Sequence, residues 1–114
     1  MNIIDSYRFG LIVVNGKSYT SDVIIFPDGV RENWRRKAGH TLHFDDLSEA
    51  LTEKPEVLVV GTGASGVMKV LPEVRLNLEA QGIRLIAQPT RKACDIYNQL
   101  CQSQKVIATL HLTC

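Results

Sequence analysis

Pro55-Glu56-Val57-Leu58-Val59-Val60-Gly61-Thr62-Gly63-Ala64-Ser65-Gly66 is the stretch on which the reading of this chain turns. Val57 to Val60 is a continuous apolar run, as expected of a strand covered on both faces in a parallel sheet, and it enters a glycine-rich turn directly. Pro72 suits the first turn of a helix, Val74 and Leu78 follow at helical spacing, and Gly82 supplies the positive-φ stop. Ile83 to Ala87 is then a second apolar strand. Strand, helix and strand within about thirty residues make a βαβ unit, whose crossover is expected to be right-handed.

Downstream, Gln88-Pro89-Thr90 ends the second strand, and Thr90 is positioned to cap a helix. Ala93, Ile96, Tyr97, Leu100 and Cys101 fall on one helical stripe, which buries that helix on a sheet. Val106 to Leu112 reads as the last strand. Upstream, Gly10 to Val14 and Lys17 to Thr20 flank Asn15-Gly16, the dipeptide that best fits a type I′ hairpin turn. Val23 to Phe26 is a further strand, stopped by Pro27-Asp28-Gly29. Asp45 or Asp46 is expected to cap a short helix running to about Thr52 and ended by Lys54-Pro55. The pattern predicts an α/β fold in one domain spanning residues 1–114.

The 114 residues are 45% hydrophobic and 22% charged, which excludes disorder and a collagen-like chain. Thirteen Lys and Arg against twelve Asp and Glu leave a net charge of +1, poor support for nucleic acid or an anionic membrane. The balance is local. Arg31, Arg35, Arg36 and Lys37 form a basic loop, and Asp45, Asp46, Glu49, Glu53 and Glu56 follow in an acidic segment positioned to pair with it. No window has the ~18 apolar residues of a spanning helix, and no signal-peptide layout opens the chain, so the expected location is cytoplasmic. Cys94, Cys101 and Cys114 contain no C-x-x-C pair and read as free, mostly buried thiols in a reducing compartment.

Gly61-Thr62-Gly63-Ala64-Ser65-Gly66 formally matches G-x-G-x-x-G. The dinucleotide fingerprint also wants an acidic residue after the second strand, where Gln88-Pro89 stands, so backbone geometry is the plainer reason for these glycines. The same turn and the Thr90 helix start are expected at one edge of the sheet. There Arg91 and Lys92 oppose the helix dipole and suggest a small anion, although two solvated side chains are the plainer explanation. His40 and His43 show H-x-x-H spacing, but two histidines fall short of the three or four ligands of a zinc site, and no metal is expected. Trp34 and Arg35 are of the types enriched at protein interfaces, against the alternative of a Trp anchoring its loop in the core. Covalent catalysis would need Ser65 or Cys94 beside His40 or His111, which no single element brings together.

The order Trp34-Arg35-Arg36, Gly39-His40, Val59-Val60-Gly61-Thr62-Gly63, and Thr90-x-x-Ala93-Cys94-x-x-Tyr97-Asn98-x-Leu100 resembles the Mth-938-like domain family, domain of unknown function 498, across nearly the whole chain. The resemblance implies a three-layer α/β fold, with a mixed central sheet flanked by helices and an added N-terminal β layer. It implies no cofactor, and an assembly-type protein partner, since the family includes a mitochondrial complex I assembly factor and an adipogenesis-associated protein. Carried over residue by residue, Arg36, His40, Gly61, Thr62, Gly63, Thr90 and Asn98 become cleft candidates, and Trp34, Cys94 and Tyr97 packing members. Two departures weigh against an organelle location: the mitochondrial members' N-terminal extension is lacking, and Gln102-Ser103-Gln104-Lys105 stands where relatives often carry Glu-Gly-Arg-Arg.

The expected function is a non-enzymatic protein-binding or assembly module using the Trp34–His40 loop and the Gly61–Gly66 cleft. The alternative is a small enzyme or binding protein for an anionic metabolite there, with His40 as acid or base and Arg36 and Arg91 holding the anion. An open edge in the N-terminal layer would also support a homodimer.

Overall fold

In chain order the elements are β1 (Ile4–Arg8), β2 (Leu11–Val14), β3 (Lys17–Tyr19), β4 (Val23–Phe26), β5 (Gly29–Arg31), β6 (Thr41–Leu42), β7 (Val57–Thr62), β8 (Lys69–Val70), α1 (Pro72–Ala80), β9 (Arg84–Gln88), α2 (Thr90–Leu100) and β10 (Val106–His111). They come from a computed structural model that describes residues Met1–Cys114. The central sheet has the order β5-β4-β10-β7-β9, in which β10, β7 and β9 run parallel while β4 and β5 are antiparallel. This is the mixed sheet expected. β1, β2 and β3 form a separate antiparallel layer, and β6 and β8 a two-residue parallel pair.

Alternation along β10 divides the core. Val106, Ala108, Leu110 and Leu112 face α2 and the N-terminal layer, packing with Ile12, Val14, Ala93 and Tyr97. Ile107 faces the other way, with Leu58, Val60, Trp34, Leu47, Val74 and Leu78 under α1 and the long loops. The central strands β7 and β10 are buried along their full length, which is why they read as unbroken apolar runs.

The Asn15-Gly16 hairpin forms as expected, with φ of 50° and 79° at the two turn positions. The segment after Asp45 differs from expectation. Instead of one short α-helix it makes two 3₁₀ turns, Phe44–Leu47 and Ala50–Glu53, and the cap is His43, whose N–H donates to Asp46 Oδ2 at 2.8 Å. Leu47 and Ala50 are fully buried, so this acidic segment is anchored through apolar contacts on two short turns. β1 and β5 were not apparent in the sequence, because β1 carries Asp5, Ser6 and Arg8 and β5 is three residues long.

The basic loop and the acidic segment pair as their charges suggest. Arg31 bridges Glu49, Lys37 Nζ lies 2.9 Å from Asp45, and the Lys37 N–H donates to Asp46. Where an open edge was expected in the N-terminal layer, β1 is closed at Ile4. The Asn98 side chain accepts the Ile4 N–H at 2.9 Å and donates to its carbonyl at 2.8 Å.

Candidate functional site

The parallel strands all deliver their carboxyl ends to one end of the sheet, where a crevice is expected in an open α/β sheet. Here that end is filled by the chain itself. Thr90 is fully buried, and its hydroxyl accepts the Gly63 N–H at 2.9 Å and donates to the His111 carbonyl at 2.6 Å. Its own N–H donates to the Gly63 carbonyl at 3.0 Å. Thr90 therefore joins the turn to β10, and Pro89 rather than Thr90 occupies the helix cap.

Three further amides of the turn are also engaged. Ala64 donates to the Thr113 carbonyl at 2.7 Å, Gly66 to Gly63 at 3.1 Å and Val67 to Cys114 at 3.4 Å. Gly63 sits at φ +106°, and a Cβ there would overlap the Cys114 carbonyl group. Gly61 packs against Leu110 and Thr90. Backbone close approach thus accounts for the glycines, and the Gly63, Ala64, Gly66 and Val67 N–H groups are taken up within the protein rather than offered to a phosphate.

Beneath the loop after β5 lies a buried charged cluster. Asp22, just before β4, receives Arg36 Nη1 at 2.9 Å and His111 Nδ1 at 2.8 Å on one oxygen, and the Leu112 N–H at 2.8 Å on the other. The Arg36 side chain is 5% exposed and that of His111 8%. Arg36 also donates from Nη2 to the Gly39 carbonyl at 3.1 Å, and its guanidinium lies 4.8 Å from the Trp34 ring. Burial alone would raise the Asp22 pKa, but His111, the Leu112 N–H and Arg36 together outweigh it, leaving the carboxylate below its usual range. His111 Nδ1 also lies 3.1 Å from Arg36 Nη2, so one ring nitrogen faces both the carboxylate and the guanidinium, and Nε2 is buried with no partner. Asp22 went unnoticed in the sequence, and His111 entered only as a candidate base that no single element brings to a nucleophile. The signal available was a histidine in an otherwise apolar strand, at a position where a neighbouring strand begins with a carboxylate.

The predicted site residues disperse. Arg36 is committed to Asp22, while His40 is exposed and engages β8 through its carbonyl, which accepts the Lys69 N–H at 2.8 Å. Arg91 stands on another face, its guanidinium 5.6 Å from the Tyr7 ring, in a groove shared with Asp5, Asp95 and Asn98. The expected convergence of Arg36, His40 and Arg91 therefore does not form, because an ion pair draws Arg36 inward. Trp34, offered as a partner-surface residue, is buried at 6% exposure and donates from Nε1 to the Asp46 carbonyl at 3.0 Å, which makes it the anchor of its loop. Arg35 remains exposed. Asn98 is spent on Ile4, and Thr62 is buried beside His111 in the register of β7 and β10.

Of the nucleophile candidates, Cys94 is buried, and burial together with Asp95 pushes its thiol up to about 12, away from the thiolate needed for attack. Cys101 is half-buried and Cys114 exposed, so the expectation of interior thiols holds for Cys94 but not for Cys114. No group of three His, Cys, Asp or Glu side chains converges on a metal position.

Two large apolar side chains are exposed near this end. Phe9 is 64% and Val67 45% exposed. The backbone beside each is tied to the C-terminal segment: Gly10, next to Phe9, donates to Leu112, and Val67 donates to Cys114.

A small three-layer α/β domain of this topology defines the Mth938-like class. The chain belongs to the family described as protein of unknown function (DUF498/DUF598), whose model matches residues 4–111. The structure is similar to a conserved hypothetical protein from Pyrococcus horikoshii, with a TM-score of 0.84 and 30% identity covering 97% of this chain and 98% of that one. It is also similar to a Bordetella pertussis protein described as a Mth938-like domain, with a TM-score of 0.76 and 25% identity over 97% and 85% of the two chains. Among curated proteins it matches the NADH dehydrogenase [ubiquinone] 1 alpha subcomplex assembly factor 3 of Xenopus tropicalis, 24% identical over 107 residues. The match covers 92% of this chain and 57% of that relative, so the chain spans little more than half the relative's length. No helix is long and apolar enough to cross a membrane.

Proposed function

We propose that this domain is a non-enzymatic protein-binding module of the assembly-factor kind, contacting its partner through the end face that carries Phe9, the Ala64–Val67 turn and the exposed side of the Arg35–His40 loop. The observation that carries the reading is a division of labour at that end. Asp22, Arg36, Thr90 and His111 are spent on one another or on backbone, whereas Phe9 and Val67 project into solvent. Exposed apolar side chains on a face built from interlocked backbone are what a protein partner covers. The likeness to a protein whose role is assembly supports the same choice over turnover of a metabolite. The proposed setting is the cytoplasm, with which three unpaired cysteines agree.

The test is affinity capture from the source cells with the wild-type chain and a Phe9→Ser/Val67→Ser variant. Both side chains are exposed, so the variant keeps its fold. The reading expects a protein retained by the wild type and lost from the variant. Equal recovery with both would refute it.

A further inference from the structure

The sheet has one unguarded edge. At the far end, β5 is three residues long, its Gly29 carbonyl accepts from Asn2 at 3.1 Å, and Arg31 is tied to Glu49. β9, at the other end, offers Leu85, Ile86 and Ala87 in sequence, each half-buried, with no lysine, proline or bulge inside the strand. Solvent-exposed edges are ordinarily protected by such devices.

The direction of its hydrogen-bonding groups follows from one contact. The Arg84 N–H donates inward to the Glu56 carbonyl at 3.0 Å. Because main-chain groups alternate along a strand, Ile86 and Gln88 also face β7, while the N–H and C=O of Leu85 and Ala87 face outward and unpaired. Side chains alternate independently: Leu85 packs on the α1 side of the sheet and Ile86 on the α2 side.

We infer that the β9 edge binds the β9 edge of a second copy of this chain, antiparallel about a two-fold axis at Ile86. That register places Leu85 opposite Ala87 of the second copy and the reverse, so the outward groups bond reciprocally. Ile86 meets Ile86 of the second copy on one face, and the Leu85–Ala87 contacts lie on the other. Arg84, the strand's only charge, falls opposite the neutral Gln88 of the second copy, so no like charges meet across the ladder. The shallow groove between α1 and this edge is lined by Arg75, Glu79 and Arg84, so each copy brings a carboxylate as well as guanidinium groups to the approach. Strand and register thus answer each other in apolar contact, hydrogen bonding and charge.

Sedimentation of the full chain from low micromolar to near-millimolar concentration tests this. The expected result is a monomer–dimer equilibrium that Ala87→Pro shifts toward monomer by about tenfold or more, because proline removes an outward donor from each copy and spares the inward ones. An independent readout is Ile86→Cys in a Cys101→Ser/Cys114→Ser background. The central pair brings the two Cα atoms to about 4.5 Å, within disulfide reach, so mild oxidation should link Cys to Cys at that position. A monomer at every concentration overturns the inference, as does a dimer unmoved by Ala87→Pro. Should Ala87→Pro fail to fold, the linkage decides: a disulfide at position 86 supports the inference and its absence overturns it.

Discussion

Nδ1 of His111 lies 2.8 Å from Oδ2 of Asp22, and this contact ties the last strand of the sheet to the residue that opens β4. Arg36 completes the cluster from a loop that neither strand would otherwise hold.

Asp22→Asn is expected to destabilise the domain by about 3–5 kcal/mol at neutral pH, because it leaves the Arg36 guanidinium buried without its counter-charge. The pH dependence has a definite sign. The folded Asp22 pKa is depressed, so its contribution is complete above the unfolded value of ~3.9 and disappears as pH falls through the lower folded value. Urea titrations of wild type and variant should therefore converge toward acid pH and diverge toward neutrality. A constant gap would contradict the ion-pair account.

Asn98 is expected to matter for attachment of the N-terminal layer. Asn98→Ala removes both bonds to Ile4 and should cost about 1–3 kcal/mol. Asn98→Asp should not restore the loss, since a carboxylate accepts the Ile4 N–H but repels its carbonyl. Amide exchange resolves the effect, with faster exchange at Ile4 and in β1 than in β7.

Gly63→Ala should be costly, and Gly39→Ala close to neutral. Gly63 combines φ +106° with the carbonyls of Thr113 and Cys114 crowding the Cβ direction, whereas a Cβ on Gly39 meets nothing within 4 Å. A loss well above ~1 kcal/mol is expected for the first. Thermal melts of the two variants side by side check this, and equal melting temperatures would dismiss the close-approach explanation for the glycine-rich turn.

Thiol reactivity should follow exposure. A small alkylating reagent at mildly alkaline pH is expected to modify Cys114 first and Cys101 slowly, leaving Cys94 intact until the protein unfolds. Peptide mapping over time gives the order. Early labelling of Cys94 would reopen its case as a nucleophile.

The βαβ unit from Val57 to Ala87 was legible because β7 is buried on both faces, β9 is an apolar run, and the helix between them begins with Pro72 and ends just before Gly82. The glycine motif was legible as geometry rather than as a ligand loop, since Gln88-Pro89 stands where an acidic partner would be needed. The interior of the candidate site was not. Arg36 read as an anion-holding residue of an open cleft, and only the register of β4 against β10 brings Asp22 to His111 and draws the arginine inward. Trp34 carried equal signals for surface and core, and the Asp46 carbonyl that accepts its indole N–H lies in a segment whose 3₁₀ form the sequence pattern obscured. Long-range polar pairing leaves no periodicity in a sequence, whereas burial does.

The central claim is that the end face bearing Phe9 and Val67 receives a protein. Its most direct test is amide NMR of the labelled domain titrated with the protein it captures. The account predicts shifts confined to Phe9–Gly10, Arg35–His40, Ala64–Val67 and Thr113–Cys114, with Leu85–Ala87 unmoved. Shifts centred on the Arg91–Asn98 groove, or an end face that stays silent at saturation, would contradict it.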